Sequence, residues 1–364
     1  MKKIIKLVVF LVGFVGLSLA LFLAYMTITA EIPEDVIKLE VENNSQTVLK
    51  QGDENNNQTV LKQGDEFSTT IFNIGYGGLD KDQDFFMDGG KGSRSSSEEQ
   101  TLDNLENMQH FLQETDSDFI LIQEIDVKSS RSYHTNQVAM FKEGLKDYGS
   151  TFANNYNTQW VPVPILNPMG SVNSGLLSFS KYPIEESTRY QLPGREKWPV
   201  QLFELDRAIL ETKIPVDNGK YLRMVNVHLS AYDKGGKIRA QQVIFLKEYM
   251  NEHYKNGDYV VLGGDWNQLL SDIQLEDPNF MEEWPDWLVE LPEDFTEGGF
   301  QWAVDSTVWT VRDNIQPYVA EENFVTIIDG FLVSPNIEIV DVKGYDLGFE
   351  HSDHNPVTTI LKLK

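Results

Sequence analysis

Between positions 73 and 354, carboxylates, amides and imidazoles recur at the ends of short apolar runs. Residues 69–72 lead into Asn73, 118–123 into Glu124, 221–225 into Asn226 and His228, and 259–264 into Asp265 and Asn267. Asp329 follows 326–328, and the cluster His351-Ser352-Asp353-His354-Asn355-Pro356 precedes a terminal run at 357–361. Such runs read as strands. Side chains two apart on a strand share a face, so Asn226 and His228 point together. Asp265 and Asn267 do so as well if their strand runs that far. A sheet whose strands end in acceptors along one rim can gather them into one pocket.

Hydrolysis of a phosphoester asks a protein mainly for positioning and charge neutralisation. Hard oxygen ligands favour Mg²⁺ or Mn²⁺, and one or two carboxylates with an Asn carbonyl suit such an ion. A separate carboxylate can orient and deprotonate the attacking water. A His held by an Asp can face the phosphate as a cation or protonate the leaving group. Singly, each residue has a plainer explanation. Glu124 reads as a solvated turn, His228 as a structural strand residue, Asp265-Trp266-Asn267 as an Asx turn and Ser352-Asp353-His354 as a helix cap. Their joint occurrence at strand ends is what points to one site.

Two helices stand out among the elements that would position this set. Residues 97–114 carry Leu102, Leu105, Met108 and Leu112 at helical spacing behind a Ser96 or Ser97 cap. Residues 236–255 carry Ala240, Val243, Leu246 and Met250 and stop at Asn256-Gly257. Residues 7–30 hold no charge, follow Lys2, Lys3 and Lys6, and precede Glu31, Glu34 and Asp35. About 20 helical residues span a bilayer, and flanking charge sets the orientation. The segment 1–30 therefore reads as an uncleaved single-pass anchor, with its N-terminus inside and the bulk of the chain outside. A cleaved signal peptide, giving a secreted protein, is the alternative. Residues 31–66 read as a polar linker containing a 12-residue tandem duplication, 42–53 and 54–65, with a pair of short strands added to a sheet edge as the alternative. Residues 67–364 make the catalytic domain.

With 41% hydrophobic residues the chain can bury a large core. It carries 56 acids against 30 bases, and three of those bases lie in the first 30 residues. Such a surface repels polyanions and offers no basic face, so no stable nucleic-acid partner is expected. The absence of Cys excludes disulfides, thiol catalysis and Cys-bearing zinc sites.

The ordered segments Phe72-Asn73-Ile74-Gly75, Ile122-Gln123-Glu124-Ile125, Asn173-Ser174-Gly175, Val225-Asn226-Val227-His228, Gly264-Asp265-Trp266-Asn267, Ile328-Asp329-Gly330 and Ser352-Asp353-His354-Asn355-Pro356 resemble the endonuclease/exonuclease/phosphatase superfamily. The resemblance implies an α/β fold like that of deoxyribonuclease I: a four-layer sandwich, two mixed sheets face to face with helices outside. It places Asn73, Glu124 and Asp353 at a metal ion, Mg²⁺ or Mn²⁺. Asp265 would activate water, Asn267 would bind a phosphate oxygen, and His228 and His354 would stabilise the transition state, with Asp329 pairing to His354.

Three segments depart from that pattern. The loop 75–97, with Asp80, Asp82, Asp84 and Asp88, lacks calcium-loop spacing and reads as solvated, with an accessory cation site as the alternative. The insertion 268–325 holds Trp284, Trp287, Trp302 and Trp309, read as packed core or lid, with a lipid-facing loop as the alternative. Asp206-Arg207 opens a strand and reads as a surface ion pair, with Arg207 offered to a phosphate as the alternative. The expected activity is metal-dependent hydrolysis of a small or lipid-linked phosphoester at the outer cell surface. The alternatives are a surface nuclease and a metal-binding module without turnover.

Overall fold

Period-two alternation of apolar residues builds the centre of the molecule, and helical-period segments cover its two outer faces. A computed structural model describes residues 1–44, 60–233, 235–270, 285 and 288–364. Its strands are β1 (Val36–Leu39), β2 (Glu66–Asn73), β3 (Phe119–Asp126), β4 (Gly149–Val161), β5 (Gly170–Ser180), β6 (Glu186–Gln191), β7 (Ala208–Pro215) and β8 (Tyr221–His228). They continue with β9 (Tyr259–Asp265), β10 (Gln301–Ala303), β11 (Val311–Arg312), β12 (Val325–Thr326), β13 (Asp329–Val333), β14 (Ile337–Gly344) and β15 (Val357–Leu363). The helices are α1 (Lys2–Thr29), α2 (Glu98–Thr115), α3 (Gln137–Gly144) and α4 (Lys237–Lys255).

Among the described residues, one sheet runs β1-β6-β7-β8-β9-β13-β10 and the other β14-β15-β2-β3-β5-β4. Each is mixed: β8 and β9 pair in parallel, as do β2 and β3, while their other neighbours are antiparallel. The inward residues of β2 and β3 (Phe67, Ile71, Phe119, Leu121) pack on those of β8, β9 and β13 (Leu222, Met224, Val261, Phe331). The outward residues Val225, Val227, Val260 and Leu262 bury Val243, Leu246 and Met250 of α4. On the far side Phe72, Ile120 and Ile122 cover Leu105, Met108 and Leu112 of α2 and Phe141 of α3. This is the expected four-layer sandwich. Ser97 caps α2, its Oγ accepting from Gln100 N at 3.0 Å, and α4 ends where Gly257 adopts φ 87°.

Asn226 ties the two sheets together below the site. Its Nδ2 donates to Ile122 O (3.1 Å) and Leu177 O (3.2 Å), and its Oδ1 accepts from Gln123 Nε2 (2.7 Å). Asn226→Ala removes all three bonds to the opposite sheet, leaving the two carbonyls short of a donor and Gln123 Nε2 with only its 3.2 Å bond to Leu121 O. Each orphaned group costs about 1–3 kcal/mol. Urea unfolding is expected to show a loss of about 2–4 kcal/mol; a loss under about 1 kcal/mol would mean the bridge is not a strut.

The linker reading of 31–66 needs correction. Val36–Leu39 adds as β1 to the edge of the first sheet, pairing with β6. Glu42 bridges Ser150, and Leu61, in the second copy of the duplication, is fully buried and bridges Val216. Glu66 already belongs to β2. Leu61 is drawn in because it completes one end of the core between the sheets. The rest of the duplication, 45–59, lies outside the described residues.

The loop 75–97 is likewise not a solvated excursion. Asp80 is buried and accepts from Asn104 Nδ2 at 2.9 Å, while the Arg312 guanidinium donates to the Asp80 carbonyl at 2.7 Å. In the insertion, Trp302 stacks edge-on against Trp266 and Trp309 packs in the same cluster, which realises the core reading for these two. Trp284 and Trp287 lie outside the described residues.

Candidate active site

The C-terminal ends of both parallel pairs reach the same rim. From the first sheet come His228 at the end of β8, Asp265 at the end of β9 and Asp329 at the start of β13, with Asp265 and Asp329 directly paired. From the second come Asn73 at the end of β2, Glu124 in β3, and Asp353 and His354 just before β15. The expected residues therefore converge on one cleft.

The chain bends sharply to aim three of these groups. Gly264 takes φ 145°, and a Cβ there would lie 2.1 Å from Val227 O, so only glycine brings β9 this close to β8 before Asp265. Glu124 sits in a β-bulge with φ 54°, which turns its side chain into the cleft. Asn267 has φ 50°, so the strand does not continue through it and the alternation argument for its side chain fails. The turn itself brings it in: Asn267 N donates to Asp265 Oδ1 at 2.8 Å. Left-handed non-glycine residues cost energy and cluster where function demands them.

Asp265 is the hub. Its Oδ2 accepts from Asn73 Nδ2 at 3.0 Å and from Asn267 Nδ2 at 3.2 Å, and it lies 3.5 Å from His228 Nε2. Burial lifts its carboxyl to about 7, despite the opposing charge of His354. Burial would depress His354, but the Asp329 carboxylate, 2.9 Å from Nδ1, overrides this and lifts it to about 10. Burial and the charge of Arg207 push His228 well below its usual range. One imidazole is thus held as a cation and the other neutral. The Asn267 amide also donates to Leu229 O at 3.0 Å. With both amide hydrogens engaged, Asn267 positions Asp265 and does not offer a donor to a phosphate oxygen, as the resemblance had implied.

The fit of a divalent cation can be judged from Glu124. Its carboxylate makes no hydrogen bond among the described residues; the neutral His228 Nε2 lies 3.8 Å away and the Arg131 guanidinium 3.9 Å away. Burial and the charge of Asp353 both raise its pKa. These two carboxylates, with the Asn73 carbonyl oxygen, which accepts from Gly75 N at 3.1 Å and keeps a second lone pair, offer hard-oxygen donors of the kind that suits Mg²⁺ or Mn²⁺. Asp265, Asp329 and His354 also crowd within 4.8 Å of one another. That trio suits a metal less well, because His354 is protonated and bonded to Asp329, and a ligand nitrogen must be free of its proton.

Sequence reasoning missed or misjudged several residues here. Arg131 is buried, pairs with Asp126 at 3.0 Å and stacks over Tyr76. Asn314 donates to Asp353 Oδ2 at 2.8 Å and to Asp88 Oδ2 at 2.9 Å, and Tyr232 donates to the other oxygen of Asp88. Arg207 is not a surface ion pair. Asp206 pairs instead with Arg195, and Arg207 lines the cleft with a buried Nη1 that makes no hydrogen bond. Only the Asp-Arg dipeptide at a strand start marked it in the sequence. The cleft encloses about 460 Å³ and is lined both by the polar set and by Phe85, Tyr156, Met169 and Phe203.

A model of the Endonuclease/Exonuclease/phosphatase family matches residues 72–354. No curated protein sequence matches the chain. Among solved structures, the endonuclease/exonuclease/phosphatase from Beutenbergia cavernae DSM 12333 superposes with a TM-score of 0.55 at 15% identity, covering 82% of this chain and 72% of that one. A family protein from Leptotrichia buccalis gives 0.53 at 13%, covering 82% and 99%. The human Nocturnin catalytic domain with bound sulfate gives 0.50 at 14%, covering 84% and 96%. The fold, the rim of converging strand ends and the family match agree: the chain belongs to the endonuclease/exonuclease/phosphatase family of phosphoester-hydrolysing enzymes.

Proposed function

We propose that this chain hydrolyses a phosphoester with Mg²⁺ or Mn²⁺ at the outer face of the cell membrane. The observation that carries the chemistry is Asp265, a buried carboxylate tuned to about 7 and set between a cationic and a neutral imidazole. Asn73, Glu124 and Asp353 would hold the cation, which when bound supplies a Lewis acid that neutralises phosphoryl charge. Asp265 takes the proton of the attacking water, for which a pKa near the working pH is best. Asn73 and Asn267 fix its carboxylate by their amide donors. His354, kept cationic by Asp329, faces the charge that grows on the phosphoryl group. His228 offers a neutral N–H donor, so it binds an oxygen without competing for a cation.

The location rests on α1, which is long and apolar enough to cross a bilayer, and on the three Lys before it and the acids after it. Arg207 would meet the phosphate's remaining oxygen. Arg207→Ala is expected to raise KM and lower kcat/KM by about 10- to 100-fold, the loss of one charge-assisted contact of roughly 1.5–3 kcal/mol; an unchanged KM would remove Arg207 from the substrate site.

The test is turnover of bis(4-nitrophenyl) phosphate and 4-nitrophenyl phosphate by the full chain with Mg²⁺, with Mn²⁺ and with EDTA. Hydrolysis that EDTA abolishes and Mg²⁺ or Mn²⁺ restores supports the reading. Turnover indifferent to EDTA, or none in any condition, would defeat it.

A further inference from the structure

The cleft opens beside the membrane anchor. Phe22 of α1 stacks on Phe203 with ring centroids 6.1 Å apart and planes 8° from parallel. Thr27 Oγ1 accepts from Trp198 Nε1 at 3.1 Å, Glu31 accepts from Asn157 Nδ2 at 2.8 Å, and Met26 is buried. The end of α1 therefore packs on the 198–203 segment and on the outer part of β4. These two parts of the chain are joined to each other: Thr158 Oγ1 donates to Leu202 O at 2.9 Å and Tyr156 OH to Phe203 O at 2.8 Å.

Depth follows from helix geometry. Counted outward from Lys6, the ~20 residues that cross a hydrocarbon core end near Met26. At about 1.5 Å per residue, Phe22 lies roughly 6 Å inside that boundary. Phe203, stacked on it, is held at the same depth. The two parts of the chain that α1 touches also expose large apolar residues. At the β4–β5 tip Ile165 is 86% and Leu166 99% exposed, and Trp198 on the 198–203 segment is 56% exposed. Val163 and Val200, also exposed, line the cleft itself. Large apolar residues gathered so openly on a chain of net charge −26 need a partner that hides them. Interfacial elements typically sink about 5–10 Å into the headgroup and acyl boundary, the depth α1 imposes.

We propose that the β4–β5 tip and the 198–203 segment insert into the outer surface of the bilayer that α1 spans, and that the substrate is a lipid phosphoester entering the cleft from that leaflet. The lipid phosphate would reach the polar residues of the cleft, and its first apolar groups would pack on the apolar part of the lining, which includes Tyr156, Met169 and Phe203. The substrate half rests on the phosphoester-hydrolase reading above; the insertion half does not.

The chain has no Cys, so one introduced thiol is unique. Full-length Leu166→Cys and, on the opposite rim, Lys255→Cys are labelled with a fluorophore and reconstituted into phosphatidylcholine vesicles containing doxyl-labelled lipid. Several-fold quenching at 166 with little at 255 is the expected result. Equal quenching at the two sites, or protection of 166 in detergent as well, as a second copy or a soluble partner would give, overturns insertion. In parallel, the double variant Ile165→Ser/Leu166→Ser is assayed on vesicles of phosphatidylcholine, sphingomyelin and phosphatidylinositol and on soluble bis(4-nitrophenyl) phosphate. At least a ten-fold loss on the vesicles, with soluble turnover within two-fold of wild type, is expected. Equal loss on both overturns the proposal. Wild-type turnover of the soluble ester with none on any lipid overturns the lipid substrate and leaves the hydrolase reading intact. Turnover of neither defeats the hydrolase reading, and quenching still decides insertion.

Discussion

Asp265→Asn is expected to lower kcat by about 10³-fold, within the range that a positioned general base supplies. KM should move little, because the lost proton transfer belongs to the transition state. The asparagine oxygen can replace only one carboxylate oxygen: placed at Oδ2 it still accepts from Asn73 Nδ2 and Asn267 Nδ2, while its NH2 faces Asn267 N, so a stability loss of about 1–3 kcal/mol is expected alongside the loss of rate. Steady-state kinetics on a chromogenic phosphoester at saturating Mg²⁺, with thermal unfolding followed by circular dichroism, decides this. A variant that retains more than a tenth of wild-type kcat would remove Asp265 from the role of base.

His354→Ala should damage both rate and stability. The imidazolium lies 2.9 Å from the Asp329 carboxylate and 3.8 Å from that of Asp265, with all three buried. Without it two carboxylates face each other across a cavity. Breaking a buried ion pair on one side costs about 3–5 kcal/mol, and kcat should fall by about 10²- to 10³-fold with loss of the fixed charge. The stability deficit has a definite sign with pH. Asp265 already titrates at about 7 with His354 present, and removing that cation raises it further. A carboxyl whose folded pKa exceeds its unfolded value binds its proton more tightly when folded, so the deficit is full above that pKa and shrinks as pH falls through it. Urea unfolding of variant and wild type at roughly pH 8 and roughly pH 5.5 reads this directly. A deficit that grows on acidification would show that the two carboxylates do not repel in the folded state.

The legible part of this molecule was the part encoded locally. The spacing of Leu105, Met108 and Leu112 in α2 and of Val243, Leu246 and Met250 in α4 shows in any helical projection, and both helices form where expected. The strand ends carrying Asn73, His228 and Asp265 also show, because apolar alternation stops at them. What stayed hidden depends on distant partners. Leu61 looks like a tether residue until two sheets meet and leave a gap that it fills. Glu124 reads as a turn because a bulge is set by register against β5 and not by its own neighbours. Asn267 reaches Asp265 through a left-handed turn, where simple alternation would have aimed it. Arg207 and Arg131 resemble surface cations by residue type, and only the folded cleft makes one of them a wall and the other a buried partner of Asp126. Asn314 sits some forty positions before the carboxylate it holds, in a segment with no pattern of its own.

The central claim is that Asn73, Glu124 and Asp353 hold a divalent cation within reach of Asp265. Crystals of the chain grown with Mn²⁺ and measured at a wavelength where manganese scatters anomalously test it most directly. The claim predicts an anomalous peak against Glu124 and Asp353, lost in Glu124→Gln. A peak seated instead among Asp265, Asp329 and His354, or one that survives the substitution unchanged, would contradict it.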